Sequence, residues 1–338
     1  MADLVLSKED EELYDRQIRV WGVDAQVAIK EARVGVAIEC ERTESGAKAT
    51  VAAELAKNLC LAGVGHLTLF FYATASSSPS GGENLSFLGK SIEEIKGNLG
   101  EMNPSVKIGV ASGTLGGIAE SLREAKLAIA FGRSLGTACE ATEALASGTQ
   151  ASTIFAAGVR GGCGYAFLRK SPSVPTISVA DALMFPVNQL PRRVNKLYCV
   201  LKVAHAYEGR AGRALAMEDC DAMVDIWDRE YGEERHKPPR DLFLNYLETI
   251  SEMPAVSAVV GGSLAQEVIK QISGKGEVMN NFYLFSAYGS KDSGEAKVEL
   301  IMEKPAPPPP VEPKPQAICE DLDQDPTPAQ DDGEIEIL

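Results

Sequence analysis

Five continuous apolar runs constrain this chain most: ARVGVAI (32–38), HLTLFFY (66–72), VKIGVA (106–111), KLAIAF (126–131) and STIFAAG (152–158). None alternates apolar with polar residues, so none reads as a strand with one face in water. Strands buried on both faces belong to a parallel sheet whose crossover connections cover it. Between the runs, residues 46–62, 91–102 and 134–147 read as crossover helices, with Gly63 and Gly148 as C-terminal stops. The pattern predicts a doubly wound α/β domain.

After Ser171 the pattern changes. Residues 190–208, 215–231 and 239–252 read as helices, the last with Pro238 and Pro239 at its start. PAVSAVVGGSLAQEVIKQISG (254–274) reads as a buried helix rich in small residues, and NNFYLFSA (280–287) and KVELIM (297–302) return to strand character. Gly261 and Gly262 each weaken that helix by about 1 kcal/mol relative to alanine, which points to close backbone approach, by its own sheet or by a partner. The expected organisation is an α/β domain over 1–170 and 253–302, interrupted by a helical insertion at 171–252. From Glu303 the chain is dense in proline and acidic residues. Such a segment buries too little apolar surface to offset ordering entropy, so 303–338 is expected to be a disordered tail.

Composition excludes several classes. A formal net charge of −15 argues against a nucleic-acid partner, which needs a basic face. No apolar run reaches the roughly 20 residues of a membrane span, so no membrane partner is expected. The opening MADLVLSKEDEE is acidic where a secretory signal is basic and then apolar. The seven cysteines lie far apart without a C-x-x-C pair, which indicates reduced thiols and no metal site.

A nucleotide on such a fold is held after the first strand, where a glycine-rich turn feeds a helix N-terminus. Here that turn has Gly46 as its one glycine and carries Glu39, Glu41 and Glu44, whose charge repels polyphosphate. The second strand offers Phe70, Phe71 and Tyr72 where an acid would hold the ribose. The sheet is therefore read as structural, with no cofactor bound by this chain. GVRGGCG (158–164) is read as a tight loop between strands. His66, His205 and His236 have no nucleophile motif near them and are read as surface or capping residues.

Two end motifs go further. EELYDRQIRVWGVDAQ (11–26) and MPAVSAVVGGSLAQEVIKQISG (253–274), the latter followed by NNFYLF (280–285), resemble the ubiquitin-like activating enzymes, and among them the small subunits of the SUMO-activating branch. AELAKNLCLAGVGHLTLF (53–70) resembles the first helix and second strand of that fold, and GGCGYAFL (161–168) the crossover before the family's helical insertion. The resemblance spans roughly residues 10–302 and departs from the family at the acidic turn.

The resemblance implies a Rossmann-like adenylation domain of the ThiF/MoeB type, paired pseudo-symmetrically with a larger catalytic subunit that holds ATP and magnesium and carries the catalytic cysteine. It implies that Arg16 is donated to the partner's ATP site, with Arg19 a second candidate, and that residence is nuclear and also cytoplasmic. From the residues alone, Arg16 is equally a helix arginine in i,i+4 register with Glu12, and Arg19 one whose stem packs beside Trp21. In the terminal DDGEIEIL, Ile335, Ile337 and Leu338 beside acids resemble a SUMO-interacting motif, which adds a strand to SUMO's sheet edge. The other readings are a stand-alone Rossmann-like nucleotide-dependent enzyme, a subunit for another modifier such as the neddylation one, and a pseudo-enzyme scaffold.

Overall fold

The computed structural model describes residues 6–39, 50–73, 92–172, 175–213, 215–248, 252–287 and 296–298. Three short helices come first: α1 (Lys8–Leu13), α2 (Asp15–Trp21) and α3 (Val23–Glu31). Ser7 starts α1 through a capping box, its hydroxyl accepting from Asp10 N–H at 3.1 Å while the Asp10 carboxylate accepts from Ser7 N–H at 3.2 Å.

The predicted alternation follows. It runs β1 (Arg33–Glu39), α4 (Thr50–Ala62), β2 (His66–Ala73), α5 (Ile92–Met102), β3 (Lys107–Thr114), α6 (Ile118–Ser121), β4 (Leu127–Phe131), α7 (Leu135–Gly148) and β5 (Thr153–Arg160). These five strands pair in parallel. β6 (Cys163–Lys170) turns back antiparallel. Then come α8 (Val179–Met184), α9 (Lys196–Ala211), α10 (Cys220–Ile226), α11 (Arg240–Leu247) and α12 (Pro254–Ser273). β7 (Phe282–Ser286) and β8 (Ala296–Val298) extend the sheet, whose order is β3-β2-β1-β4-β5-β6-β7-β8.

Both faces of β1, β2, β4 and β5 are largely buried, as their continuous apolar runs require, whereas β3 at the sheet edge is half-buried to exposed, because it has a neighbour strand on one side only among the described residues. Val36, Ile38, Leu69, Phe71 and Ile129 meet α4 and α12 residues such as Leu55, Val260 and Leu264 on one side. Ala37, Phe70, Tyr72 and Ala130 meet Ile118, Leu122 and Leu145 of α6, α7 and their connection on the other. The helices between β6 and α12 have their own internal order. Lys202, buried on α9, donates to the carbonyls of Leu183 (2.7 Å) and Phe185 (2.9 Å) and so closes the C-terminal end of α8.

Glycines account for the local differences from the sequence reading. GGCGYAFL resembled a crossover, yet residues 163–170 form a full strand, hairpinned to β5 through Gly161 at φ +54°. A Cβ on Gly164 would lie 2.7 Å from Val260, so this glycine admits α12 against the sheet. Gly148 is the last residue of α7, ahead of the Thr149 cap; its Cβ would sit 2.1 Å from Ala119 Cβ, so its smallness lets α6 approach. Gly63 does end α4, at φ +82°. Gly261 packs on the neighbouring helix α4, where an added Cβ would lie 2.8 Å from Glu54 Cβ, whereas one on Gly262 would meet open space.

One contact tests this packing directly. A Cβ on Gly65, between α4 and β2, would fall 1.8 Å from the Lys30 carbonyl oxygen, a backbone atom that cannot rotate away. Gly65→Ala is expected to destabilise the fold by about 2 kcal/mol, read as a lower urea midpoint. An unchanged midpoint would show that the α3–β1 junction yields freely.

Candidate functional site

In open α/β sheets a ligand binds outside the carboxyl ends of the strands, where the strand order reverses, here between β1 and β4. The N-termini of α4 and α7 belong to this crevice, and each offers backbone N–H groups and positive dipole potential to an anion. Both already hold a carboxylate from this chain. Glu39, the last residue of β1 and 8% exposed, accepts from Arg133 N–H at 2.7 Å and from the Thr137 hydroxyl at 2.5 Å. Glu252, just before α12, accepts from Val51 N–H in the first turn of α4 at 2.7 Å and from the Ser257 hydroxyl at 3.1 Å.

A third acid reaches α7 from α9. Glu208 accepts from Gly136 N–H at 3.4 Å, and its other oxygen is buried without a hydrogen-bond partner. Burial pushes its carboxyl up to about 7, opposed by the Leu135 and Gly136 amides and the Arg160 guanidinium and reinforced by the charge of Glu39. Tyr72, in register with Glu39, spans β1 and donates its hydroxyl to the Phe131 carbonyl of β4 at 3.0 Å. Arg160 is engaged elsewhere: Nε donates to the Tyr246 carbonyl (3.0 Å) and Nη2 to that of Leu215 (2.7 Å), tying the later helices to the end of β5.

Among the described residues, this arrangement sets acids against a nucleotide's phosphates. A polyphosphate would have to displace tethered carboxylates of its own charge from both helix ends, and the ribose-facing end of β2 is apolar. Nor does a nucleophile replace it. Burial pushes the thiols of Cys139 up to about 12 and Cys163 up to about 11, which keeps them protonated. The histidines, read as surface or capping residues, are half-buried (His66, His205) or buried (His236), and burial lowers the pKa of each. Among the described residues no cluster of histidine, cysteine or acid could hold a metal ion.

The arginine helix lies outside this crevice. Tyr14 separates α1 from α2, so Glu12 and Arg16 lie on different helices and the i,i+4 pair read from the sequence does not form. Asp15 instead engages Arg19, at 3.0 Å. Arg16 is exposed and makes no hydrogen bond or ion pair among the described residues. Exposed Leu13, Val20 and Val23 surround it in sequence. Ile335, Ile337 and Leu338 lie outside the described residues, as do Glu41, Glu44 and Gly46.

Sequence reasoning missed Glu208 and Glu252. Each reaches its helix end from a distant part of the chain, and no local motif marks either one.

No family model matches the chain. It is similar to SUMO-activating enzyme subunit 1B-1 of Arabidopsis thaliana, 31% identical over 332 residues that cover 88% of this chain and 98% of that one. Subunit 1A of the same plant is 31% identical over 319 residues, covering 85% and 95%. SUMO-activating enzyme subunit 1 of Homo sapiens is 26% identical over 352 residues, covering 86% and 95%. The crystal structure of selenomethionine PaaA matches with a TM-score of 0.52 at 15% identity, covering 88% of this chain and 86% of that one, and shares the ThiF/MoeB-type fold. Identity at this level, carried along nearly the whole length of the plant relatives, has one reading: the chain belongs to the SUMO-activating enzyme subunit 1 family.

Proposed function

We propose that this chain is the non-catalytic subunit of a heterodimeric SUMO-activating enzyme. It pairs with a larger catalytic subunit, which holds ATP and magnesium, adenylates the C-terminal carboxylate of SUMO and forms the thioester. The observation that carries this reading is the crevice: the first turn of α4 meets the Glu252 carboxylate and that of α7 meets Glu208 and Glu39.

Arg16 is the residue this chain contributes to the partner's ATP site. A guanidinium bridges phosphate oxygens with two bonds and stabilises the charge that develops during adenylation. Its exposure, its lack of a partner among the described residues and the exposed apolar residues near it in sequence suit a group that is completed only in a complex. SUMO is reached through the catalytic subunit, with the terminal Ile335, Ile337 and Leu338 as a second, direct contact. The net charge of −15 speaks against nucleic acid. Among the described residues no helix is long and apolar enough to cross a membrane. The nucleus, where the modifier system would place it, is the proposed residence, with the cytoplasm second.

The test is reconstitution. The larger subunit, SUMO, ATP and magnesium are assayed for ATP–pyrophosphate exchange and SUMO thioester with and without this chain. Activity is expected only when the chain is present. Equal activity in its absence would overturn the proposal.

A further inference from the structure

We infer that Tyr14 is a positioning residue for Arg16, locking α2 to the body so that the guanidinium is presented in a fixed direction; the inference rests on the reading of Arg16 as the donated group. α2 has seven residues, none buried, and no side-chain cap at its N-terminus. Such a helix owes its direction to its ends. At the C-terminal end, α3 is held by Gln26, whose Nε2 donates to the Ala62 carbonyl at 3.1 Å.

At the N-terminal end the anchor is Tyr14, 2% exposed although its neighbours Leu13 and Arg16 are in solvent. Its hydroxyl accepts from Asn103 Nδ2 at 2.8 Å, and Asn103 is itself buried, donating also to the Cys60 carbonyl at 2.8 Å. Both hydrogens of that amide are thereby used, which fixes its orientation. The tyrosine ring occupies the space a side chain at Gly63 would take: a Cβ there would lie 2.4 Å from the hydroxyl oxygen. Gly63, Cys60 and Asn103 belong to the C-terminal ends of α4 and α5, so Tyr14 is clamped by two helices of the main domain. Arg16 follows two residues later, about 3 Å along the axis. Asp15 completes the arrangement by engaging Arg19, so that among the described residues Arg16 has no ion-pair partner.

Tyr14→Phe keeps the ring against Gly63 and removes only the hydroxyl. In the intact heterodimer it is expected to lower kcat for ATP–pyrophosphate exchange about tenfold, with KM for ATP and subunit pairing unchanged, since small misplacements of a reacting group are expensive in rate. Asn103→Ala, which leaves the hydroxyl without its donor, is expected to give the same kcat defect. The deciding measurement is the double variant: Tyr14→Phe added to Arg16→Ala should slow the reaction no further. An equal tenfold loss in both backgrounds, or no loss from Tyr14→Phe when Arg16 is intact, would overturn the inference. Full activity of Arg16→Ala alone would instead overturn the reading of Arg16 on which it rests.

Discussion

Arg16→Ala is expected to lower adenylate formation by the reconstituted heterodimer about 10³-fold, the scale on which arginine fingers act in phosphoryl-transfer enzymes. The structure separates this residue from its neighbour. Arg19 is 77% exposed at its side chain and engaged with Asp15 at 3.0 Å, a pair worth a few tenths of a kcal/mol and replaceable by water. Arg19→Ala is therefore expected to change the rate less than tenfold. Arg16→Lys restores little, because an ammonium is a point charge and cannot bridge two phosphate oxygens in a plane. ATP–pyrophosphate exchange at matched heterodimer concentration reads all three. Wild-type rates from Arg16→Ala would reduce the chain to a scaffold.

Glu208→Gln is expected to stabilise the folded chain by about 3 kcal/mol at pH 8 and by almost nothing below pH 4.5. Burial raises the carboxyl from 4.5 to about 7. Between those values the folded state retains a proton that the unfolded state has released, so stability falls as pH rises through the window and the loss is complete above it. The size follows from about 1.4 kcal/mol per unit of displacement. Glutamine stays neutral throughout and keeps an oxygen for the Leu135 and Gly136 amides. Urea midpoints at pH 4.5 and pH 8 measure the difference. Parallel wild-type and variant profiles would show that the carboxylate is solvated when ionised.

The sheet was legible because its residues leave no alternative: Val36, Ala37 and Ile38 are consecutive and apolar, and each finds a buried neighbour on one face or the other. β6 was obscured by Gly161, Gly162 and Gly164, which imitate a loop; Gly164, the one inside the strand, admits α12. The loss of the phosphate turn was visible in Glu39, but the sequence presented it as repulsion, whereas the fold ties Glu39 to Arg133 N–H and the Thr137 hydroxyl beside the start of α7, which Ser134 caps. Glu252 was beyond reach. It lies 201 residues from Val51, and nothing in its own surroundings points to a helix end elsewhere. Arg16 was assigned a role by resemblance, and the pairing read for it from i,i+4 spacing failed because Tyr14 interrupts the helix between the two positions.

The carboxylates at α4 and α7 bear on how the heterodimer senses its fuel. An anion held in place by the fold acts at an effective concentration far above that of any free phosphate. On the proposed reading, the described part of this crevice carries its own anions at every ATP level, and motion driven by ATP is expected in the catalytic half.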